Sequence, residues 1–268
     1  MRIGLIGDSH GHVPALAASI AGCRAAGVDV IVHCGDFLSA PFSPDPPSET
    51  IALLRANDVR AIPGNHEVYL RDWGTSRWDA AVTQRRQRPD SPDYFLGLIP
   101  AGQALLSADE LAWLRSLPPE LVLDVGRAGD VYVCHAMPGN PFSTSWDTDP
   151  KYTPDNIAAV RVAALSGSAA AEADLILCGH VPHPLVMRTA LPNGRTALVV
   201  RGTGFMQDPD TSAESWWTDF VVLTRHGSVG LGHRGWSVER RVVPFEPSDR
   251  DWQWDQPTPA RGKISAAE

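Results

Sequence analysis

The sequence predicts an α/β fold, on three observations. Apolar strand-like runs alternate with amphipathic stretches through the first 62 residues. Five of the apolar runs end beside a glycine and an Asp, Asn or His. Hydrophobic residues make up 43% of the 268-residue chain against 20% charged, enough apolar side chain for a packed core.

The elements follow in order. Arg2–Ile6 is a short apolar strand. Pro14–Ala26 places Leu16, Ile20 and Cys23 at helical spacing, and Gly27 closes it. Val28–His33 is a second strand, followed by a Pro-rich loop over 41–47 and a helix over Glu49–Ala56 with Ser48 as its N-cap. Val59–Ile62 is a third strand, so the order implies parallel strands joined by right-handed crossovers. Between 69 and 100, Arg71, Arg77, Arg85, Arg86 and Arg88 stand among Trp73, Trp78, Tyr94 and Phe95 with weak periodicity, and an irregular segment over the site is expected. Ser107-Ala108-Asp109-Glu110 is a capping box ahead of a helix over Leu111–Leu117. Strands over Leu121–Val125 and Val131–Cys134, a helix over Asp155–Leu165 and a strand over Leu175–Cys178 come next. Leu185–Thr189 and Thr196–Arg201 read as a hairpin across Asn193-Gly194, and Phe220–Thr224 and Val238–Phe245 as further strands. One domain over 1–245 is expected, then a polar, Pro-rich tail over 246–268 that Trp252 and Trp254 would pin to the body.

Composition excludes several classes. Lys plus Arg number 23 against 31 Asp plus Glu, and the net charge of -8 argues against nucleic acid as a partner held by overall charge. No run approaches the roughly 18–20 apolar residues of a membrane span. The N-terminus is apolar only as far as Asp8, too short for a signal-peptide core. Cys23, Cys34, Cys134 and Cys178 are too sparse for a disulfide framework and form no CxxC pair, so they are expected in the core of a soluble, cytoplasmic protein.

The chemistry lies at the strand ends. Gly7-Asp8-Ser9-His10, Gly35-Asp36, Gly64-Asn65-His66-Glu67, Cys134-His135 and Gly179-His180-Val181-Pro182-His183 each follow an apolar run. In an open α/β sheet the ligand crevice lies at the carboxyl ends of the strands, so residues remote in sequence can meet there. Carboxylate, amide and imidazole donors suit manganese, iron, zinc, cobalt or nickel better than calcium or magnesium. Asp36 is the natural bridge between two divalent ions about 3.5–4 Å apart. Four positive charges, less those of Asp8, Asp36 and a bridging hydroxide, leave one, which favours an anionic phosphate.

In order and spacing over roughly residues 1–205, this series resembles the calcineurin-like metallophosphoesterase superfamily. The resemblance implies a four-layer α/β/β/α sandwich with mixed sheets and a two-metal site. It implies Asp8, His10 and Asp36 on the first ion, and Asp36, Asn65, His135 and His180 on the second. His66 matches the catalytic histidine, which would stabilise the transition state and assist the leaving oxygen while a metal-bridging hydroxide attacks phosphorus. The implied cofactors are two divalent transition-metal ions (manganese, iron or zinc), and the implied partner is a small phosphoester, a nucleotide among the candidates. His12 and Arg71 are candidates for substrate binding, Arg71 because guanidinium groups grip phosphate.

Two features depart from the family pattern. Pro182 stands where the last motif usually has its second histidine, so His183 is the candidate to complete the first ion, with water as the alternative. Phe37-Leu38-Ser39 and Pro63 replace the phosphate-gripping arginines of the protein-phosphatase branch, and Cys134–Pro141 looks more like the small bacterial phosphodiesterases. His33 is expected as a packed or hydrogen-bonded core residue. A non-catalytic binding module on the same fold and a nuclease are the alternative readings.

Overall fold

Side-chain alternation in the strands decides the layering, because each central strand is apolar on both faces and must be covered on both. In the computed structural model, β1 (Arg2–Ile6) turns Ile3 and Leu5 to one core and Ile6 to another. The structure describes residues 1–39, 45–79, 93–125, 131–142, 146, 157–207, 216–226 and 235–246.

Two mixed sheets result. In the first, β1 lies parallel to β2 (Val30–His33), which lies parallel to β3 (Arg60–Ala61). On the other side β1 pairs antiparallel with β10 (Trp216–Arg225), which carries β11 (Trp236–Phe245) and the short β9 (Phe205–Gln207). In the second, β5 (Val131–Val133), β6 (Leu175–Cys178) and β8 (Thr196–Arg201) are parallel, and the antiparallel β4 (Leu121–Leu123) and β7 (Leu185–Ala190) form the edges. The β7–β8 hairpin turns where Asn193-Gly194 predicts it.

Three apolar interfaces stack these sheets with the helices. Ile3, Leu5 and Val32 meet Val133, Leu177 and Val200 between the sheets. Ile6, Ile31 and Val222 meet Leu16 and Ile20 of α1 (Val13–Ala25) and Leu54 of α2 (Pro47–Ala56) on one outer face. Tyr132, Ile176 and Val199 meet Leu165 of α6 (Ile157–Leu165) and Ala170 of a 3₁₀ turn on the other. This is the four-layer α/β/β/α sandwich.

Local expectations hold with corrections. The Ser107 capping box forms: Glu110 N donates to Ser107 Oγ at 3.3 Å, and Ser107 N donates to Glu110 Oε2 at 2.7 Å, at the head of α5 (Ala108–Ser116). Ser48 is not an N-cap. Pro46 takes the cap position and Pro47 the first turn, because a proline's fixed φ and missing N–H suit that place and start the helix two residues early. The segment 69–100 is not irregular throughout. Its ends lie in α3 (Asn65–Asp72) and α4 (Asp93–Ala104), where tertiary packing overrides weak periodicity. Val68, Tyr69 and Leu70 share the outer core with Ile99, and Gln103 Nε2 donates to Leu70 O at 2.6 Å. β10 and β11 pair over ten residues each, longer than the expected Phe220–Thr224 and Val238–Phe245, because the ladder runs on through Trp216–Asp219 against Val242–Phe245 and through Arg225 against Trp236. Arg85, Arg86, Arg88, Trp252, Trp254 and the tail beyond Glu246 lie outside the described residues. No helix among the described residues is long and apolar enough to cross a membrane.

Candidate metal centre

The expected ligands sit in the loops that leave β1, β2, β3, β5 and β6, and hydrogen bonds lock those loops together. His10 N and Gly11 N donate to the carbonyls of Asp36 and Phe37, both at 2.8 Å. Gly179 N donates to His135 O at 2.7 Å, and His180 N donates to Asp8 Oδ1 at 3.1 Å. His66 N, at the start of α3, donates to Asp36 Oδ1 at 2.9 Å.

The backbone is strained where the ligands stand. His10 (φ 47°), Asp36 (φ 53°) and His180 (φ 72°) are three of the four non-glycine residues with left-handed φ among the described residues. Side chains disfavour that region, and such residues cluster where a site over-determines the geometry. Gly64 meets a different constraint, since a Cβ there would lie 2.7 Å from His135 Cε1.

Two groups of ligand atoms converge, each within 4.8 Å: His10, Asp36 and His66, and Asp36, His135 and His180. Asp36 belongs to both, as the expected bridging carboxylate would. Asp8 belongs to neither, although its Oδ1 lies 3.8 Å from His135 Nδ1. Asn65 Oδ1 lies 2.8 Å from His180 Nδ1 and 3.2 Å from His135 Nε2. His135 Nδ1 donates to the Cys34 carbonyl at 2.7 Å, which fixes the tautomer and turns Nε2 towards Asp36 Oδ2 at 3.3 Å.

The donor set fits a pair of cations. Asp8 Oδ2 and His10 Nδ1 are buried without a hydrogen-bond partner among the described residues, and buried polar atoms are seldom left so. Asn65 Oδ1, His135 Nε2, His180 Nδ1 and Asp36 Oδ2 are acceptors gathered around one point. Turning the Asn65 amide over lets its nitrogen donate to the other three instead, whereas a cation satisfies all four as they stand.

Electrostatics agree with this. Burial, with the Asp36 charge beside it, pushes the Asp8 carboxyl up to about 7. Burial and the neighbouring His66 pull His10 down to about 3. Burial opposes charge on His135 too, but the Asp36 carboxylate outweighs it and holds the imidazolium up to about 9. Asp36 stays well below the usual carboxylate range, because His135 and His66 overcome its burial. Protons thus occupy places where cations would take over their role.

The roles of three residues escaped the sequence reading. Glu67, at the end of the Gly64-Asn65-His66-Glu67 motif, does more than start α3. It is wholly buried and braces the site, accepting from Asp36 N at 2.8 Å, Leu38 N at 2.7 Å and Gly64 N at 2.8 Å. Burial and the Asp36 charge push its carboxyl up to about 8. Arg201, 1% exposed at the end of β8, donates from Nη1 to His183 O at 3.1 Å and so ties down the loop that carries His180. Gly204 (φ 68°) packs against the backbone carrying Asp8, and a Cβ there would lie 2.5 Å from Gly7 O and 2.6 Å from Asp8 O. Only the Gly202-Thr203-Gly204 spacing after an apolar strand signals that contact in the sequence.

The remaining candidates separate. His183 is exposed and lies outside both ligand groups. His12 is buried at the head of α1, where burial lowers it to about 4 against the pull of Asp45. His33 is a core residue paired with Ser9 Oγ through Nε2 at 3.0 Å. Cys23, Cys34, Cys134 and Cys178 are all free and buried. Arg71 lies beside the site, lining a cavity that also reaches His135.

Comparison with known proteins places this geometry. The structure is similar to that of a hypothetical protein, PH1004, from Pyrococcus horikoshii OT3, at a TM-score of 0.58 and 17% identity, covering 91% of this chain and 88% of that one. It is also similar to a metallophosphoesterase from Sphaerobacter thermophilus, at a TM-score of 0.56 and 20% identity, covering 92% and 90%. No curated protein matches the chain. The sequence profile of the Calcineurin-like phosphoesterase superfamily domain matches residues 1–214, and the chain belongs to that family.

Proposed function

We propose that the protein hydrolyses small phosphoesters with the help of two divalent transition-metal ions. The observation that carries this reading is the pair of ligand groups sharing Asp36. His10 and Asp36, with Asp8 behind them, would hold one ion, the His66 of the same cluster being reserved for the leaving group, and Asp36, Asn65, His135 and His180 would hold the other. His183 is the further candidate for the first ion. When bound, the ions would lower the pKa of a water and neutralise charge on the phosphoryl oxygens.

The chain's own residues supply the rest. His66 is half-buried, and its ring stands edge-on to His10 with centroids 4.9 Å apart. From there it donates a proton to the departing alcohol oxygen. Asp36 keeps both oxygens turned inward, because its backbone N–H is held by Glu67 and its Oδ1 by His66 N. In deprotonated His135, the Nδ1–H held on Cys34 O leaves the Nε2 lone pair facing the site.

The test is hydrolysis of bis(p-nitrophenyl) phosphate with added manganese. Wild type is expected to turn over, Asp36→Ala to lose both metal and activity, and His66→Ala to keep bound manganese while losing about 10²–10⁴-fold in rate. An inactive wild type, or a fully active Asp36→Ala, would sink the proposal.

A further inference from the structure

A cavity of about 390 Å³ opens beside the site, within the range of small-molecule pockets of about 300–1,000 Å³. It begins at His135, and its walls are largely apolar: Pro63, Val68, Pro119, Met137 and Phe142. His66 and His10 are not among the residues that line it. Its charged groups balance. Arg71 forks onto Asp72 through Nε at 2.8 Å and Nη2 at 3.0 Å, Arg77 reaches the same carboxylate at 3.5 Å, and Glu120 supplies the second negative charge. Arg71 Nη1 has no partner among the described residues and can donate to a polar atom of a ligand.

Resting on the proposed function, we infer that this cavity holds the organic arm that stays on phosphorus, and that the enzyme selects phosphodiesters whose retained arm is uncharged and predominantly apolar. The leaving oxygen must face His66, which does not line the cavity, whereas His135 does. In the reaction water adds to phosphorus, the bond to the leaving alcohol breaks, and the alcohol takes the proton. The arm in the cavity keeps its ester bond and departs as a monoester. The balanced charges favour no second phosphate there, and a monoester substrate has no retained arm with which to fill the space.

The experiment varies the retained arm while the leaving group stays constant. With manganese-loaded protein, phenyl p-nitrophenyl phosphate should exceed methyl p-nitrophenyl phosphate in kcat/KM by about tenfold or more, chiefly through KM. Both should exceed p-nitrophenyl phosphate. Pro119→Trp, on the exposed loop before β4, narrows the cavity and should bring the phenyl-to-methyl ratio close to one. Equal kcat/KM for the two diesters, or a ratio untouched by Pro119→Trp, would overturn the inference and leave phosphoester hydrolysis standing. Should no ester be hydrolysed, the proposed function fails, and calorimetric titration still decides what the cavity binds. Phenyl phosphate binding about tenfold more tightly than methyl phosphate supports an apolar-arm pocket, and equal affinities refute it.

Discussion

Glu67 offers the sharpest perturbation of the site, because it touches no expected ligand atom yet holds two of the loops that carry them. Its carboxylate receives N–H groups from Asp36, Leu38 and Gly64 at 2.7–2.8 Å and is wholly buried. Glu67→Ala strands three buried donors at about 1–3 kcal/mol each. Water entering the vacated space returns part of this, so a loss of ~3–6 kcal/mol is expected. Glu67→Gln keeps one acceptor oxygen and sets its amide against the other donors, for about 1–3 kcal/mol. Urea unfolding of the metal-free variants measures both, and titration with manganese should show affinity falling with Asp36 released. A pH series adds a sign. The folded pKa of Glu67 is raised from 4.5 to about 8, so the folded state holds this proton more tightly than the unfolded chain. The contribution is fully present below 4.5 and is lost as pH rises through 8, at up to about 1.4 kcal/mol per pH unit. Gln lacks this titration, so the stability gap between wild type and Glu67→Gln should narrow across that window. A gap that widens, or an Ala variant within about 1 kcal/mol of wild type and with unchanged manganese affinity, would refute the brace.

Four further outcomes follow from the same geometry. Manganese at a hundredfold excess over its Kd should stabilise the protein by about 2.7 kcal/mol in thermal melts, and Asp36→Asn should remove that increment. In the metal-free protein Asp8 is raised from 3.8 to about 7 and His135 from 6.5 to about 9, so both contributions fade as pH rises through those intervals, and saturating metal should flatten the slope. Gly204→Ala sets a Cβ 2.5 Å from Gly7 O at a left-handed φ of 68°, so a loss of about 2 kcal/mol or more is expected, with weaker metal binding by calorimetry. Leu177→Ala, in the core between the sheets, should cost about 2–5 kcal/mol while the folded fraction keeps its manganese affinity.

The parts of this protein written locally were legible in its sequence. The Ser107 capping box and the Asn193-Gly194 hairpin depend on a few adjacent residues, and the structure has both. His10, Asp36, Asn65, His66, His135 and His180 were readable because each follows an apolar run, and parallel strands deliver their ends to one place. What stayed hidden depends on partners remote in the chain. The role of Glu67 exists only because the β2 and β3 loops present three N–H groups to it. The helices at either end of 69–100 form because Val68, Tyr69 and Ile99 find a shared core, which weak local periodicity could not announce. Ser48 was misplaced for a different reason: two neighbouring prolines set the helix start more strongly than a hydroxyl cap does.

The site itself is a place where the chain opposes its own stability. Asp8, Asp36 and Glu67 bury three carboxyl groups together, and His10, Asp36 and His180 adopt a disfavoured backbone. Such residues persist only where the surroundings leave them no alternative. Here the surroundings are the dry interface between two sheets, where Leu5, Val32, Val133, Leu177 and Val200 fix the strand ends from which the ligand loops depart. Because that core does not yield, the loops cannot relax to separate the carboxyls or hydrate Asp8 Oδ2. The repulsion therefore remains available to whatever cation enters, and its relief adds to the binding free energy. Loosening the loops through Glu67 should thus weaken metal binding even with every ligand present, whereas thinning the core at Leu177 lowers stability while the ligand set of the folded molecules stays as it was.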